Sequence, residues 1–348
     1  MLDIMQTLKK SINILIKVLP ILSFTIPFLI LYSLYPQSFE TTWTGRTFYI
    51  FFLWLASLEV ILNWEKLQTS KMNRLLSIRT ITFIIALLLP TIYVVAANYY
   101  GINALVVDLS RKINVPFADL MPLSTEYLVL TVFFALIILL EYGIYCLMDF
   151  SVSILFLGII GVIYTATYLY PFGKFWPFQI LVPTTATLAA NVLNLMGYET
   201  KMSFISDHPK YGSMTYLEIS DSQGRFAMFG IAWACAGVES LLIYTVTILL
   251  FLKKIPVPWK HKAVYFVIGA IVTYLINILR IIAIVMISIN QGDWMTFHDF
   301  YGQLFSITWI VSYPLIIIGS QALGRKIRHR KTGTPKVFGR SDEPKLEV

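Results

Sequence analysis

One cysteine, one arginine and one histidine stand at the borders of apolar segments in the second half of the chain. Cys235 opens the run C-A-G-V-E-S just before an apolar stretch, and Arg280 interrupts the apolar run N-I-L-R-I-I-A-I-V-M. His298 stands in F-H-D-F-Y-G, ahead of a last apolar stretch. A thiolate is a nucleophile, a histidine transfers protons and a guanidinium stabilises negative charge. Together these residue types can carry out acyl transfer through a covalent intermediate.

The spacing of Cys235 and Arg280 places them at one depth if their segments are antiparallel helices. Between the segments lies the short basic loop Lys253–Lys262, K-K-I-P-V-P-W-K-H-K. Counted from that loop, both residues are the same number of positions away, a rise of about 26 Å at 1.5 Å per residue. That is nearly the hydrocarbon thickness of a bilayer. With His298 in the following outer loop, we expect all three residues on one membrane face.

Each of the three residues also has a structural interpretation. A lone cysteine in an apolar protein is usually a small core residue, and we interpret Cys146 in E-Y-G-I-Y-C in this way. An arginine in a membrane segment can snorkel to the surface, and an interfacial histidine among aromatic residues needs no catalytic explanation. The position of Cys235 favours a catalytic role. The sequence predicts that this residue stands at a helix N-terminus, and such a position lowers the pKa of a thiol. Asn277 lies one turn before Arg280 and is expected to orient its guanidinium.

Glu239 lies one predicted turn beyond Cys235, and its role is left open. It is placed either to pair with Arg280 or to complement the positive end of the helix. A carboxylate at this position would oppose formation of the Cys235 thiolate, so no catalytic role is assigned to it.

Composition indicates that these residues belong to an all-α polytopic membrane protein. Of 348 residues, 57% are hydrophobic and 13% are charged, whereas a soluble domain is about 25% charged. A membrane-spanning helix needs about 20 apolar residues, and this criterion predicts eight spans. They are Ser11–Tyr35, Thr47–Asn63, Ile81–Ala97, Glu126–Leu147, Ser151–Tyr170, Cys235–Leu252, Ala263–Asn290 and Gln303–Gly324.

Basic residues set the predicted orientation, because cytoplasmic loops are enriched in Lys and Arg. The loops Lys66–Arg79 and Lys253–Lys262 and the tail Arg325–Val348 are basic. Both termini are therefore expected in the cytoplasm of a multi-pass cell-membrane protein, with Cys235 on the extracytoplasmic face. The run after Lys9 and Lys10 is too long for a signal-peptide core and is interpreted as a retained first span.

Two segments between the fifth and sixth spans are expected outside the membrane core. Trp176–Met196 contains two prolines and several polar residues, so we predict an outer re-entrant or interfacial helix there. The loop 198–234 alternates apolar and polar residues between turn-forming separators, which predicts a small extracytoplasmic β-hairpin. The organisation that follows is a five-span region 1–170, a catalytic membrane region 171–324 and a basic cytoplasmic tail 325–348.

Cofactor and nucleic-acid binding are not expected. The two cysteines are far apart and the four histidines, His208, His261, His298 and His329, are scattered, so no metal site is predicted. No dinucleotide-binding or phosphate-binding glycine motif occurs. The net charge of +8 is concentrated in the tail, where eight Lys and Arg residues face three Asp and Glu residues. This basic tail is interpreted as a topology signal and a contact for anionic lipids, without a nucleic-acid partner.

The motifs around the three residues resemble those of the exosortase/archaeosortase family of membrane cysteine transpeptidases. They are C-A-G at Cys235–Gly237, N-I-L-R at Asn277–Arg280, and His298 beyond the next span; the resemblance covers about residues 176–324. It implies that Cys235, Arg280 and His298 are catalytic. It also implies substrates that are exported proteins with a C-terminal recognition motif, a transmembrane helix and a basic tail. The acceptor that such an enzyme uses is expected to be a membrane lipid.

Two other functions remain open at this point. A protease with the same three catalytic residues would use water as the acceptor. A transporter or lipid-handling protein would use Arg280 as an anion site, and broken helices around Pro177 and Pro183 would suit it. No paired inverted repeat is visible, however, and the polar residues gather at one predicted face rather than at the midplane. Many proteins of the same organism that share a motif, a span and a basic tail would favour the transpeptidase.

Overall fold

Helices make up most of the computed structural model. It describes residues 2–41, 45–67, 78–170, 179–208, 212–233, 235–302 and 304–331. The chain forms two compact units, Met1–Val311 and Ser312–Val348, and Cys235, Arg280 and His298 all belong to the first.

Eleven α-helices of five residues or more and one small sheet are named here in chain order for the described segments. The front helices are α1 Leu2–Leu34, α2 Pro36–Glu40, α3 Thr47–Leu62, α4 Ile78–Tyr99, α5 Ile102–Lys112, α6 Met121–Tyr142 and α7 Ser151–Leu169. The later helices are α8 Val182–Leu195, α9 Val238–Lys254, α10 Trp259–Ile289 and α11 Leu304–Lys331. Between α8 and α9 lie strands β1 Glu199–His208, β2 Gly212–Ser220 and β3 Phe226–Ile231. A short helical turn, Trp294–Thr296, and a π-helical turn, Phe297–Tyr301, precede α11.

Within the described ranges, six helical segments are long and apolar enough to cross a membrane. They are Ile14–Leu34, Thr80–Tyr99, Ala118–Tyr142, Ser151–Leu169, Trp259–Ile289 and Trp294–Gly324. Each overlaps one predicted span, which confirms a multi-pass membrane protein. The predicted spans Thr47–Asn63 and Cys235–Leu252 coincide with α3 and α9, helices of 16 and 17 residues. The count of eight spans stays a prediction.

A buried ion pair joins α3 to α6. Arg46, at the start of α3, donates from Nε and Nη2 to the two carboxylate oxygens of Glu126 at 2.8 and 2.9 Å. The hydroxyl of Tyr49 donates to the same carboxylate at 3.0 Å. Both charges are almost fully buried, at 8% and 2% exposure, so the bidentate geometry is what offsets their desolvation.

A second carboxylate ties α9 to the front helices. Glu59 of α3 accepts hydrogen bonds from the main-chain N–H groups of Val152 and Ser153 at 3.1 and 3.0 Å. It therefore satisfies donors that the first turn of α7 leaves unpaired, where a negative charge also complements the helix dipole. Lys254, the last residue of α9, contacts the same carboxylate at 2.8 Å. The contact holds one end of the helix that follows Cys235.

The segment between α7 and α9 contains one helix and three strands. Helix α8 lies within the predicted interfacial segment Trp176–Met196, whose first residues, 176–178, fall outside the described part of the chain. The sheet is antiparallel in the order β1-β2-β3, so the prediction of a two-stranded hairpin is wrong in strand number. The third strand forms because a tight turn at Asp221–Arg225, with Gly224 at φ +76°, returns the run F-A-M-F-G-I onto β2. Left-handed backbone of this kind favours glycine.

Glu126→Gln tests the buried ion pair. The substitution leaves the Arg46 guanidinium buried without its counter-charge, and breaking a buried pair costs about 3–5 kcal/mol. We expect the melting temperature of the purified protein in detergent to fall by several degrees. Asp119→Asn is the control, because its pair with Arg111 is exposed and worth about 0–1 kcal/mol. Equal melting temperatures for the two variants would contradict a stabilising role for the pair.

Candidate active site

Cys235 lies in a turn that precedes α9. Its N–H donates to the carbonyl oxygen of Ala232 at 2.9 Å, and the helix begins three residues later at Val238. The prediction that the helix starts at Cys235 is therefore wrong. The cause is Gly237, whose φ of +88° is left-handed and interrupts helical geometry before α9. A β-carbon at this glycine would also lie 2.9 Å from the side-chain nitrogen of Asn277, so only glycine fits here.

Asn277 and Thr185 hold this turn from two other helices. The Asn277 side chain, fully buried in α10, donates from Nδ2 to the carbonyl oxygen of Cys235 at 2.9 Å. The Thr185 hydroxyl of α8 donates to the carbonyl of Ala236 at 3.1 Å and also contacts the Tyr274 hydroxyl at 2.8 Å. Asn277 was expected to orient Arg280, whereas in the structure its amide contacts the turn that contains Cys235. The role of Thr185 was missed, because it depends on a contact 51 positions away.

His298 faces the thiol from the π-helical turn before α11. Its Nε2 lies 3.7 Å from the Cys235 sulfur, and its Nδ1 lies 2.9 Å from the Asp299 carboxylate. A proton on Nδ1 is donated to Asp299, which leaves Nε2 as the acceptor that faces the thiol. A thiol, an imidazole and a carboxylate thus stand in the order that general-base activation of a thiol requires. Asp299 was missed by the sequence analysis, although its position beside His298 in F-H-D was the available signal.

Arg280 brings a buried positive charge to the same place. The residue is 4% exposed, and its guanidinium packs against Gly302, where a β-carbon would lie 2.6 Å from Nε. Across the described ranges, its Nε and Nη2 have no hydrogen-bond partner. Its charge interacts with the Cys235 thiol and the Glu239 and Asp299 carboxylates. Buried donors are almost always hydrogen-bonded, so these two N–H groups have the capacity to bind one further acceptor.

Glu239 lies in the first turn of α9 and is 2% exposed. It interacts electrostatically with Arg280, and it also stands where a carboxylate complements the positive end of the helix. Both predicted interpretations of this residue fit its position. The carboxylate helps to balance the buried guanidinium without touching the thiol through any hydrogen bond that the structure describes.

The two cysteines differ in acidity. Burial alone would raise the pKa of the Cys235 thiol, but the His298 hydrogen bond and the nearby charges of His298 and Arg280 lower it below its ordinary value. At Cys146, burial and the neighbouring Asp149 carboxylate instead raise the pKa of the thiol. The thiolate is the reactive form of cysteine, so these shifts favour the reactive form at Cys235 and disfavour it at Cys146. Cys146 lies in the 3₁₀ turn Ile144–Met148, away from any catalytic partner that the structure describes.

Metal ligands do not cluster in the described part of the chain. No group of three or more His, Cys, Asp or Glu residues within it is arranged to hold a metal ion.

Comparison with known proteins gives one match. The family model described as "Transmembrane exosortase (Exosortase_EpsH)" matches residues 43–313, a range that contains Cys235, Arg280 and His298. No curated protein and no solved structure matches the chain.

His298→Gln, in a Cys146→Ala background, tests the coupling of the histidine to the thiol. Because His298 lowers the pKa of Cys235, its loss removes stabilisation of the thiolate and raises that pKa. We expect the midpoint of the pH profile of iodoacetamide alkylation to move up, towards the value of about 8.5 for a free cysteine. His261→Gln, at an exposed histidine, should leave the profile unchanged. An unshifted midpoint in His298→Gln would show that the two side chains do not interact.

Proposed function

The chain belongs to the transmembrane exosortase family, and on that premise we propose that it is a cysteine transpeptidase that cleaves the C-terminal sorting signals of exported proteins. The observation that carries the proposal is the contact of 3.7 Å between the Cys235 sulfur and His298 Nε2. The unpaired donors of Arg280 beside this contact support it. A thiol facing a histidine acceptor has a role in acyl transfer and none in the transport of an anion.

In the acylation step, Cys235 is the nucleophile. His298 Nε2 takes the thiol proton as the sulfur attacks the scissile carbonyl carbon. The guanidinium of Arg280 stabilises the negative charge that develops on the carbonyl oxygen. This electrostatic stabilisation is strongest where water is excluded. When the C–N bond breaks, His298 returns the proton to the leaving amine, and a thioester joins the substrate to Cys235.

In the transfer step, the acceptor takes the place of the leaving amine. Its nucleophilic group gives a proton to His298 and attacks the thioester carbon, and the sulfur leaves and is reprotonated. A membrane lipid with a nucleophilic headgroup is the proposed acceptor, because a site at the outer membrane boundary is within reach of lipid headgroups. Water in the same position would give hydrolysis, so the acceptor decides between a transpeptidase and a protease.

The proposed topology has eight spans with both termini in the cytoplasm. It adds α3 and α9 to the six longer spans, and the positive-inside rule supports it, because basic residues cluster in alternate loops. The active site then lies on the extracytoplasmic face, which exported substrates reach. A substrate anchored by its own C-terminal helix would present the segment just outside that helix at this depth.

Arg280→Lys distinguishes catalysis from membrane anchoring. Lysine snorkels as well as arginine but lacks the planar fork of donors that fits an oxyanion. Losing one such contact costs about 2.7–4 kcal/mol, or roughly a hundred- to thousandfold in rate. The readout is the processing rate, in the cells that make the protein, of a reporter that ends in an exported protein's motif, span and basic tail. We expect unprocessed reporter to accumulate at matched membrane levels of the enzyme, as it should with Cys235→Ala.

Arg111→Lys is the matched control, because Arg111 lies in an exposed ion pair remote from the thiol in the chain. It should process the reporter at the normal rate. Near-normal processing by Arg280→Lys would indicate that Arg280 has a structural role only. Full processing by Cys235→Ala would contradict the transpeptidase proposal.

Cysteine labelling tests the topology. In a chain that lacks Cys146 and Cys235, we introduce one cysteine at Met295 or at Trp259, which are 50% and 76% exposed. A membrane-impermeant maleimide added to intact cells is expected to label position 295 and to label position 259 only after permeabilisation. The reverse pattern would place the site in the cytoplasm, out of reach of exported proteins.

A further inference from the structure

Strand β3 is an edge strand that leads directly into the active-site turn. The sheet order β1-β2-β3 gives β3 one neighbour, β2, and no other strand of the described residues pairs with its second edge. The strand ends at Ile231, and the turn that contains Cys235 begins with the hydrogen bond from the Cys235 N–H to the Ala232 carbonyl. An extended residue advances by about 3.3 Å, so Gly230 and Cys235 are at most about 17 Å apart. A segment lying along this edge is therefore close to the nucleophile.

The turn between β2 and β3 determines which main-chain groups face the open edge. The Asp221 N–H donates to the Arg225 carbonyl at 3.1 Å, and the Gly224 N–H donates to the Asp221 carbonyl at 3.0 Å. Residues 221 and 225 thus form a hydrogen-bonded pair, and such pairs alternate with non-hydrogen-bonded pairs along antiparallel strands. The residues that bond to β2 are Ala227, Phe229 and Ile231. Those whose N–H and C=O groups face away from β2 are Phe226, Met228 and Gly230.

These outward-facing residues are open to their surroundings. Phe226 and Met228 are 62% and 45% exposed and Gly230 is also exposed, whereas Ala227 and Ile231 are buried. Within the segments that the structure resolves, no hydrogen bond reaches the outward main-chain groups of β3. Exposed edges are usually protected by charged residues or proline, yet F-A-M-F-G-I contains neither. Such an edge is suited to pair with an added strand.

We infer that the open edge of β3 binds the extended segment of the substrate next to the scissile bond, by strand addition. The inference rests on the proposed function, because it is the thiol of Cys235 that makes this edge a route to a reactive site. Main-chain hydrogen bonds supply the binding, as in other complexes in which a peptide extends a sheet. The exposed apolar side chains of Phe226 and Met228 contact every second side chain of the peptide. The ligand class is thus an extended peptide with apolar or β-branched residues at alternate positions.

Met228→Pro tests the enzyme side of this pairing. Proline removes the outward N–H at residue 228 and spares the bonds to β2, and proline is tolerated at outward-facing positions of edge strands. One main-chain hydrogen bond is lost, so we expect the reporter processing rate to fall about three- to tenfold at subsaturating reporter. The rate of alkylation of Cys235 by iodoacetamide should be unchanged, because the substitution changes none of the side chains that set the reactivity of the thiol.

Met202→Pro is the matched control at the opposite edge of the sheet. Met202 pairs with Leu217, whose main chain bonds to Phe229 of β3, so the Met202 main chain faces away from β2 along the far edge of β1. The control makes the same residue change in the same sheet with the same loss of an outward N–H. It is expected to process the reporter at the wild-type rate.

A proline scan of the reporter tests the substrate side with the unmodified enzyme. Proline is placed at each residue next to the cleavage point in turn, and alanine at the same positions controls for side-chain loss. Strand addition predicts a loss with proline at every second position, because alternate N–H groups of the peptide donate to β3. A loss without this period of two would overturn the inference even if Met228→Pro fails to fold.

The outcomes separate this inference from the proposed function. If wild-type enzyme leaves the reporter uncut, or Cys235→Ala cuts it normally, the proposed function fails. If wild-type enzyme cuts it, while Met228→Pro matches Met202→Pro and the scan has no period of two, only the strand pairing fails. If Met228→Pro instead abolishes self-association measured in detergent with processing unchanged, the edge binds a second copy of the chain and the inference is overturned.

Discussion

The candidate active site depends on one constraint, the buried guanidinium of Arg280, whose Nε and Nη2 have no hydrogen-bond partner among the described residues. Arg280 is 4% exposed, and moving a charge out of water costs several kcal/mol unless other charges compensate. The compensation comes from three acidic groups, Cys235, Glu239 and Asp299, contributed by a turn and two helical elements. The site is therefore an electrostatic unit, in which the positive charge favours the thiolate and the acidic groups keep the arginine in place. In the proposed mechanism, the two Arg280 donors that have no partner in the described ranges meet the charge that develops on a substrate oxygen.

The surrounding framework fixes these groups by contacts that are distant in the chain. Asn277 and Thr185 bind consecutive carbonyls of the turn that contains Cys235, while the left-handed Gly237 directs the chain into α9. At the other end of α9, Lys254 binds Glu59, which also caps α7. The helix after Cys235 is thus held at both ends. The turn that contains Cys235 is therefore supported by side chains of packed helices, which favours a fixed geometry.

The membrane class and the proximity of Cys235 and Arg280 could be predicted from the sequence, and the physical reasons are clear. Apolar length decides whether a helix can span a bilayer, and equal rise from a shared loop places two residues at one depth. The start of α9 could not be predicted, because a glycine in a left-handed conformation has no signature beyond its residue type. The Asn277 contact depends on the packing of two segments 42 positions apart. The pairing of Arg46 with Glu126 also could not be predicted. In the sequence both residues stand at the ends of predicted spans, and only the packing of α3 against α6 brings them together.

The most direct measurement of the central claim is the covalent state of Cys235 during turnover. Membranes that contain enzyme and substrate are quenched with acid, which preserves thioesters, and the peptide containing Cys235 is identified by mass spectrometry. The account predicts a fraction of this peptide carrying a substrate-derived acyl group that hydroxylamine removes, and no such group on Cys146. An acyl group absent from Cys235 under conditions in which substrate is demonstrably being cleaved would contradict it.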